Sequence, residues 1–161
     1  MLKPKIFIPL GTQKFPFGRL INAFNSLVER GVFAEDEIVM QSTVYDIEPK
    51  FKHVGLISLD EFNHYLNESE IIVTHAGVNS IISCMNRKKA FIVVPRLSKY
   101  GEHVDDHQLE IAKLMESQFN VLVLWDMMLL EQLLEHAKQH IYKPWVSKKD
   151  VLIQCIRESI E

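Results

Sequence analysis

Residues 71–83 read IIVTHAGVNSIIS, from Ile71 to Ser83, and the reading of this stretch decides the fold. It opens as a short apolar run with β-branched residues, the pattern of a buried strand. The run breaks at His75-Ala76-Gly77 and resumes as a helix start at Asn79-Ser80. A strand that passes through a glycine turn into a helix N-terminus makes an anion site. Glycine lets a ligand come close to the main chain, and the unpaired N–H groups of the first helical turn carry partial positive charge. Asn79 and Ser80 are expected to cap the helix, and His75 adds a donor beside the turn. A capped helix that binds nothing would share this local pattern, so its meaning rests on the rest of the chain.

Outward from this stretch, strands alternate with helices. Residues 5–10 predict a first strand, closed by Gly11-Thr12-Gln13, with Pro9 near its end because proline removes a ladder donor. Leu20, Ile21, Phe24, Leu27 and Val28 share one helix face, and Gly31 stops that helix. Further strands are expected at 37–41, 53–57, 91–94 and 121–124. Ser58-Leu59-Asp60-Glu61 reads as a capping box, opening a helix whose apolar face is Leu59, Phe62 and Leu66. Helices are also expected at 78–85, 105–116 and 128–140. A last one starts at Ser147 and places Val151, Leu152, Cys155 and Ile156 along one side.

This alternation, with strands too apolar for one-sided burial, predicts an α/β fold: a doubly wound, Rossmann-like parallel sheet of six strands with helices on both faces. Strand order 3-2-1-4-5-6 makes strands 1 and 4 neighbours whose outgoing loops part to opposite sides, and ligands bind in that crevice. The Gly11-Thr12 loop and the His75–Ser80 turn then meet there. No GxGxxG follows strand 1 and no GxxxxGK[ST] occurs, which argues against a nicotinamide cofactor or a P-loop nucleotide site.

With 161 residues the chain is expected to form one domain over 1–161. The 47% apolar and 24% charged fractions are those of a soluble globular protein. A net charge of −3 disfavours a sequence-independent grip on nucleic acid. Cys84 and Cys155 lie in apolar helical patterns and are expected to be small buried hydrophobes, with no disulfide framework. No apolar run approaches the ~18 residues of a membrane span, and the first strand starts too early for a signal peptide, so the expected location is cytoplasmic.

The loop after strand 5, PRLSKYGEHVDDHQ over residues 95–108, is densely polar. Glu102, His103, Asp106, His107 and Gln108 offer donors and acceptors of the kind that read sugar hydroxyls. On a helix, His103 and His107 would share a face, with His75 as a third possible metal ligand. A metal-dependent hydrolase is therefore one alternative, although the general-base glutamate of HExxH is missing.

At these residues the chain resembles the nucleotide-sugar-binding half of a GT-B glycosyltransferase, the family-28 C-terminal domain. His75-Ala76-Gly77-Val78-Asn79-Ser80 is similar to the diphosphate-binding His-x-Gly-x-x-Ser signature. His107-Gln108 is similar to the end of the sugar-contacting segment, and Gly11-Thr12 to the first glycine loop. Small single-domain members are the nearest in kind: the soluble subunit of the two-part N-acetylglucosaminyltransferase of the dolichol pathway, and bacterial β-1,4-galactosyltransferase subunits of capsule and exopolysaccharide assembly.

The resemblance implies that His75, Gly77, Asn79 and Ser80 bind the diphosphate and that Gly11 and Thr12 form the opposing wall. Gln108, with Glu102 or His103, would contact the donor sugar. It implies a UDP-sugar donor, no obligatory metal and no cofactor. The general base would come from a membrane-associated partner subunit that binds a polyprenyl-diphosphate-linked saccharide, so that no residue of this chain is expected to be catalytic. Relatives carry an acidic ribose contact where this chain has Ser83. Phe15, Pro16, Phe17 and the C-terminal helix are candidate contact surfaces for the partner. A non-catalytic activator of a separate transferase is the other alternative.

Overall fold

A computed structural model describes residues 3–145 and 149–160. Its strands are β1 (Ile6–Pro9), β2 (Ile38–Gln41), β3 (Lys52–Val54), β4 (Ile71–His75), β5 (Ala90–Val94) and β6 (Leu122–Val123). The helices are α1 (Gly18–Glu29), α2 (Leu59–Glu68), α3 (Val78–Asn86), α4 (His107–Phe119), α5 (Leu130–His136) and α6 (Lys149–Ile160). All strand pairs are parallel and their order is β3-β2-β1-β4-β5-β6, as the alternation of elements predicts.

Side chains alternate across the sheet with the period of two that a strand imposes. Ile6, Ile8, Val73, Ile92 and Val94 pack on one face with Phe24 and Leu27 of α1 and Leu130 and Leu134 of α5. Phe7, Ile72, Phe91 and Val93 pack on the other with Tyr65, Ile81, Met85, Ile111 and Met115 from α2, α3 and α4. The helices following β1 and β4 thus lie on opposite faces, which defines the switch point.

The register shows why a crevice opens there. β1 pairs with β2 through four residues but with β4 only through Ile6↔Ile71 and Phe7↔Ile72. Successive strand residues address opposite neighbours. Leu10 gives its N–H to Gln41 O of β2 (2.9 Å), so position 9 faces β4, and Pro9 has no N–H to offer there. The two strands part beyond Phe7 and Ile72.

Several local expectations are corrected. The capping box forms in part, with Ser58 Oγ accepting from Glu61 N–H at 3.1 Å, but Leu59 is 74% exposed and the buried residues of α2 are Tyr65 and Leu66. Leu59 occupies the first helical position, which leans beyond the edge of the core. Cys84 is buried as expected, whereas Cys155 is exposed. Ile156 carries the burial of α6; Ser147 and the side chains of Val151 and Leu152 lie outside the described residues. Among the described residues, no helix is long and apolar enough to cross a membrane.

Candidate functional site

The crevice is lined on the β4 side by the turn quoted at the outset. His75 is the last residue of β4 rather than part of the turn, and Gly77, not Asn79 or Ser80, is the N-cap of α3. No side chain caps α3 and no acidic residue occupies its first turn, so the N–H groups there remain open to an incoming acceptor. α2 is the contrast, satisfied by Ser58 and carrying Asp60 and Glu61 in its first turn. Asn79 is exposed and Ser80 half-buried at the mouth of this helix.

Gly77 is required for a steric reason that differs from the one its motif suggests. Its φ of −84° suits any residue, but a Cβ there would lie 2.6 Å from His75 Cε1 and 3.0 Å from His75 Nε2. The imidazole folds back over the turn and occupies the space that the glycine vacates. Gly77→Ala should therefore push the ring aside and lower stability by about 1–3 kcal/mol, the range for overpacking. Thermal denaturation checks this, and an unchanged midpoint would show that the ring does not rest there.

Gln108, in the first turn of α4, holds that ring. Its Oε1 accepts from the N–H of Ala76 (3.2 Å) and of Arg96 (3.0 Å), and its Nε2 lies 2.9 Å from His75 Nδ1. The amide oxygen of Gln108, the residue expected to contact the sugar, is buried and accepts from two backbone N–H groups. Burial, followed by the positive charge of Arg96, pushes the His75 pKa down to about 4, against the opposing effect of the Gln108 bond. His75 is uncharged at neutral pH.

Glu102 is likewise a structural residue. Only 2% exposed, it takes a two-pronged contact from Arg19, with Nε to Oε2 and Nη2 to Oε1 both at 2.9 Å, and Oε1 also accepts from Leu97 N–H. Both carboxylate oxygens are engaged by the protein itself. Beside it lies Arg96, which in the sequence reads only as the end of a strand. Arg96 Nη1 donates to Phe15 O (2.9 Å) and Glu102 O (3.2 Å), and its guanidinium stacks on Phe17, 4.9 Å from the ring centre. Burial lowers its pKa to about 10, which leaves it charged, and its Nε has no partner among the described residues. A charged residue two positions after a fully apolar strand was the available signal, because such a residue is buried only with partners.

On the β1 side, Gly11 adopts φ +73°, and Gln41 bonds both its N–H (3.0 Å) and its carbonyl (3.3 Å). Thr12 is exposed beside it. Phe17 is buried beneath Arg96 and is withdrawn from the expected partner surface; Phe15 and Pro16 are half-buried. His103 Nδ1 lies 3.1 Å from Asp105 Oδ1, and its ring sits 6.4 Å from that of Phe15. The metal alternative loses its premise, since α4 begins only at His107 and both histidines turn to Asp105. Among the described residues, no group of three or more His, Cys, Asp or Glu is placed to hold a metal.

A doubly wound domain with an uncapped helix start at its switch point has the form of one half of a GT-B glycosyltransferase. The chain belongs to the glycosyltransferase family 28 C-terminal domain, whose family model matches residues 5–144. A curated relative is the UDP-N-acetylglucosamine transferase subunit ALG13 of Candida albicans (strain SC5314 / ATCC MYA-2876), 31% identical over 116 residues. The match covers 70% of this chain and 36% of that protein, so the chain spans about a third of the relative it matches. Among solved structures, the solution structure of ALG13 shares the fold with a TM-score of 0.59 at 19% identity, covering 99% of this chain and 98% of that one. Spinosyn forosaminyltransferase SpnP shares it with a TM-score of 0.52 at 14% identity, over 99% of this chain and 41% of that one.

Proposed function

We propose that residues 1–161 act as the donor-binding subunit of a two-component glycosyltransferase that uses a UDP-sugar. The observation that carries this reading is the open N-terminus of α3, set beside His75 in the gap between β1 and β4. Charge develops on the diphosphate as the bond between the sugar's anomeric carbon and the phosphate oxygen breaks. First-turn N–H groups and the imidazole are placed to stabilise that charge, and the buried Arg96 adds a positive field. A groove of about 420 Å³ between α2 and α3, lined by Pro9, Asn79, Ser80 and Ser83, leads away from the turn and offers room for the nucleoside. Ser83 Oγ there accepts from Arg87, which is also held by Asn63 and Asn67.

The name of the Candida relative, a UDP-N-acetylglucosamine transferase subunit, supports both the donor class and the need for a second polypeptide. A membrane-associated partner, a polyprenyl-diphosphate-linked acceptor, a hexose as the moved group and a setting in capsule or exopolysaccharide assembly complete the proposal. These finer points rest on the sequence resemblance alone. Calorimetric titration tests the donor site: UDP should bind, and His75→Ala and Ser80→Ala should each weaken it at least about tenfold, the equivalent of one charge-assisted hydrogen bond. Unchanged affinity in folded variants would remove the assigned site.

A further inference from the structure

We propose that Gln108 is a positioning residue that fixes the tautomer of His75, holding Nδ1 as an acceptor and the proton on Nε2, so that His75 meets a donor phosphate as a hydrogen-bond donor. This rests on the donor-site reading above and adds to it how one side chain is prepared for its task.

The orientation of the Gln108 amide follows from its partners. One end faces two backbone N–H groups, Ala76 at 3.2 Å and Arg96 at 3.0 Å, and an NH₂ group there would meet two donors with a third. That end is therefore the oxygen. The other end is the NH₂, 2.9 Å from His75 Nδ1, and an amide N–H can bond that ring nitrogen only if it bears a lone pair. A neutral imidazole with a bare Nδ1 carries its hydrogen on Nε2. The order of constraint runs from two backbone amides, through one buried glutamine, to one ring proton.

The same three contacts tie the residue after β4 and the residue two after β5 to the start of α4. The tautomer is thus coupled to the placement of the 96–108 loop. A glutamate at 108 keeps the acceptor for Ala76 and Arg96 but presents a second oxygen to Nδ1, and a hydrogen bond then requires the proton on Nδ1. A neutral ring would present a bare Nε2 to the crevice, where a phosphate oxygen is repelled.

Long-range proton–nitrogen NMR on protein carrying ¹⁵N-histidine reads each ring nitrogen directly, with His75→Ala supplying the assignment. In the unaltered protein between pH 5 and 8, His75 should show a bare Nδ1 and a protonated Nε2. Added UDP should shift Nε2 while leaving Nδ1 bare. Gln108→Glu should place a proton on Nδ1. A purely structural glutamine would alter the unfolding midpoint without moving this proton. A bare Nε2 in the unaltered protein, an even tautomer mixture, or a Gln108→Glu protein with Nδ1 still bare would overturn the proposal. The tautomer of the unaltered protein is read without Gln108→Glu, so that measurement stands whether or not the Gln108→Glu protein folds. If the tautomer is as stated but UDP does not bind, the donor-site reading fails and the positioning role stands. If UDP binds to a protein with the opposite tautomer, the donor site stands and the positioning role fails.

Discussion

Glu102→Ala should lower the stability of the protein by about 3–5 kcal/mol, the cost of removing one partner from a buried ion pair. Glu102 is 2% exposed, Arg96 2%, and the Arg19 side chain 19%. Among the described residues, Glu102 is the only carboxylate within ion-pair distance of Arg19, and none other approaches Arg96. Its removal leaves two guanidinium groups facing one another's field with a few carbonyl oxygens and the faces of Phe17 and Tyr100 as company. The Leu97 N–H also loses its acceptor. Glu102→Gln should cost less, because an amide oxygen still serves Leu97 and one prong of Arg19. Urea denaturation of the three proteins gives the comparison. A loss below about 1 kcal/mol for Glu102→Ala would mean that the carboxylate is in water rather than in the loop core.

That result would also bear on the site. Arg19 stands at the start of α1, Glu102 in the loop after β5, and Arg96 reaches the carbonyls of Leu10 and Phe15 after β1. The carboxylate therefore joins the loops that leave β1 and β5 around the turn that leaves β4. Variants at Glu102 should weaken UDP binding through displacement of the 96–108 loop, not through a lost ligand contact.

Strand order is legible in the sequence because six alternating units of apolar strand and helix match the doubly wound arrangement in which strand 1 lies beside strand 4. Pro9 near a strand end and Gly31 after a helix are legible for the same local reason. The 71–80 turn is recognisable as a site, but its internal arrangement is not. Whether the space at Gly77 is filled by a ligand or by His75 depends on a ring rotation that no spacing records.

Glu102 and Gln108 read as sugar contacts in the sequence since polar residues in a loop above a crevice point to solvent in most chains. What the sequence does not show is that the protein itself holds both side chains, Glu102 through Arg19, 83 residues away, and Gln108 through His75, 33 residues away, pairings that only the assembled sheet creates. Leu59 misleads by its period: it has the right spacing for the apolar face of α2 and the wrong height, one position too early to reach the core. Cys155 errs in the same direction, on a helix whose burial is carried by Ile156.

Acidification from pH 7.5 to 4.5 should cost the protein about 2–3 kcal/mol of stability through His75 alone, and His75→Gln should not show that loss. In the folded chain His75 takes a proton only near pH 4, because burial and the neighbouring Arg96 charge oppose it; unfolded, it does so near 6.5. Between those values the unfolded chain binds more protons, and stability falls as pH falls. The interval corresponds to about 3 kcal/mol at 1.36 kcal/mol for each pH unit, most of it developed by pH 4.5. Above pH 6.5 the contribution vanishes, since both states are neutral. Glu37, Asp105 and Asp106, whose pKa values are lowered mainly by backbone hydrogen bonds, act below this window, where their stabilisation is lost only as pH drops under the usual carboxylate range. Urea unfolding of both proteins at the two pH values isolates His75, because the exposed histidines are common to both. Equal pH dependence would mean that His75 is protonated as readily folded as unfolded, which is incompatible with a buried ring against Gln108 and beside a buried guanidinium.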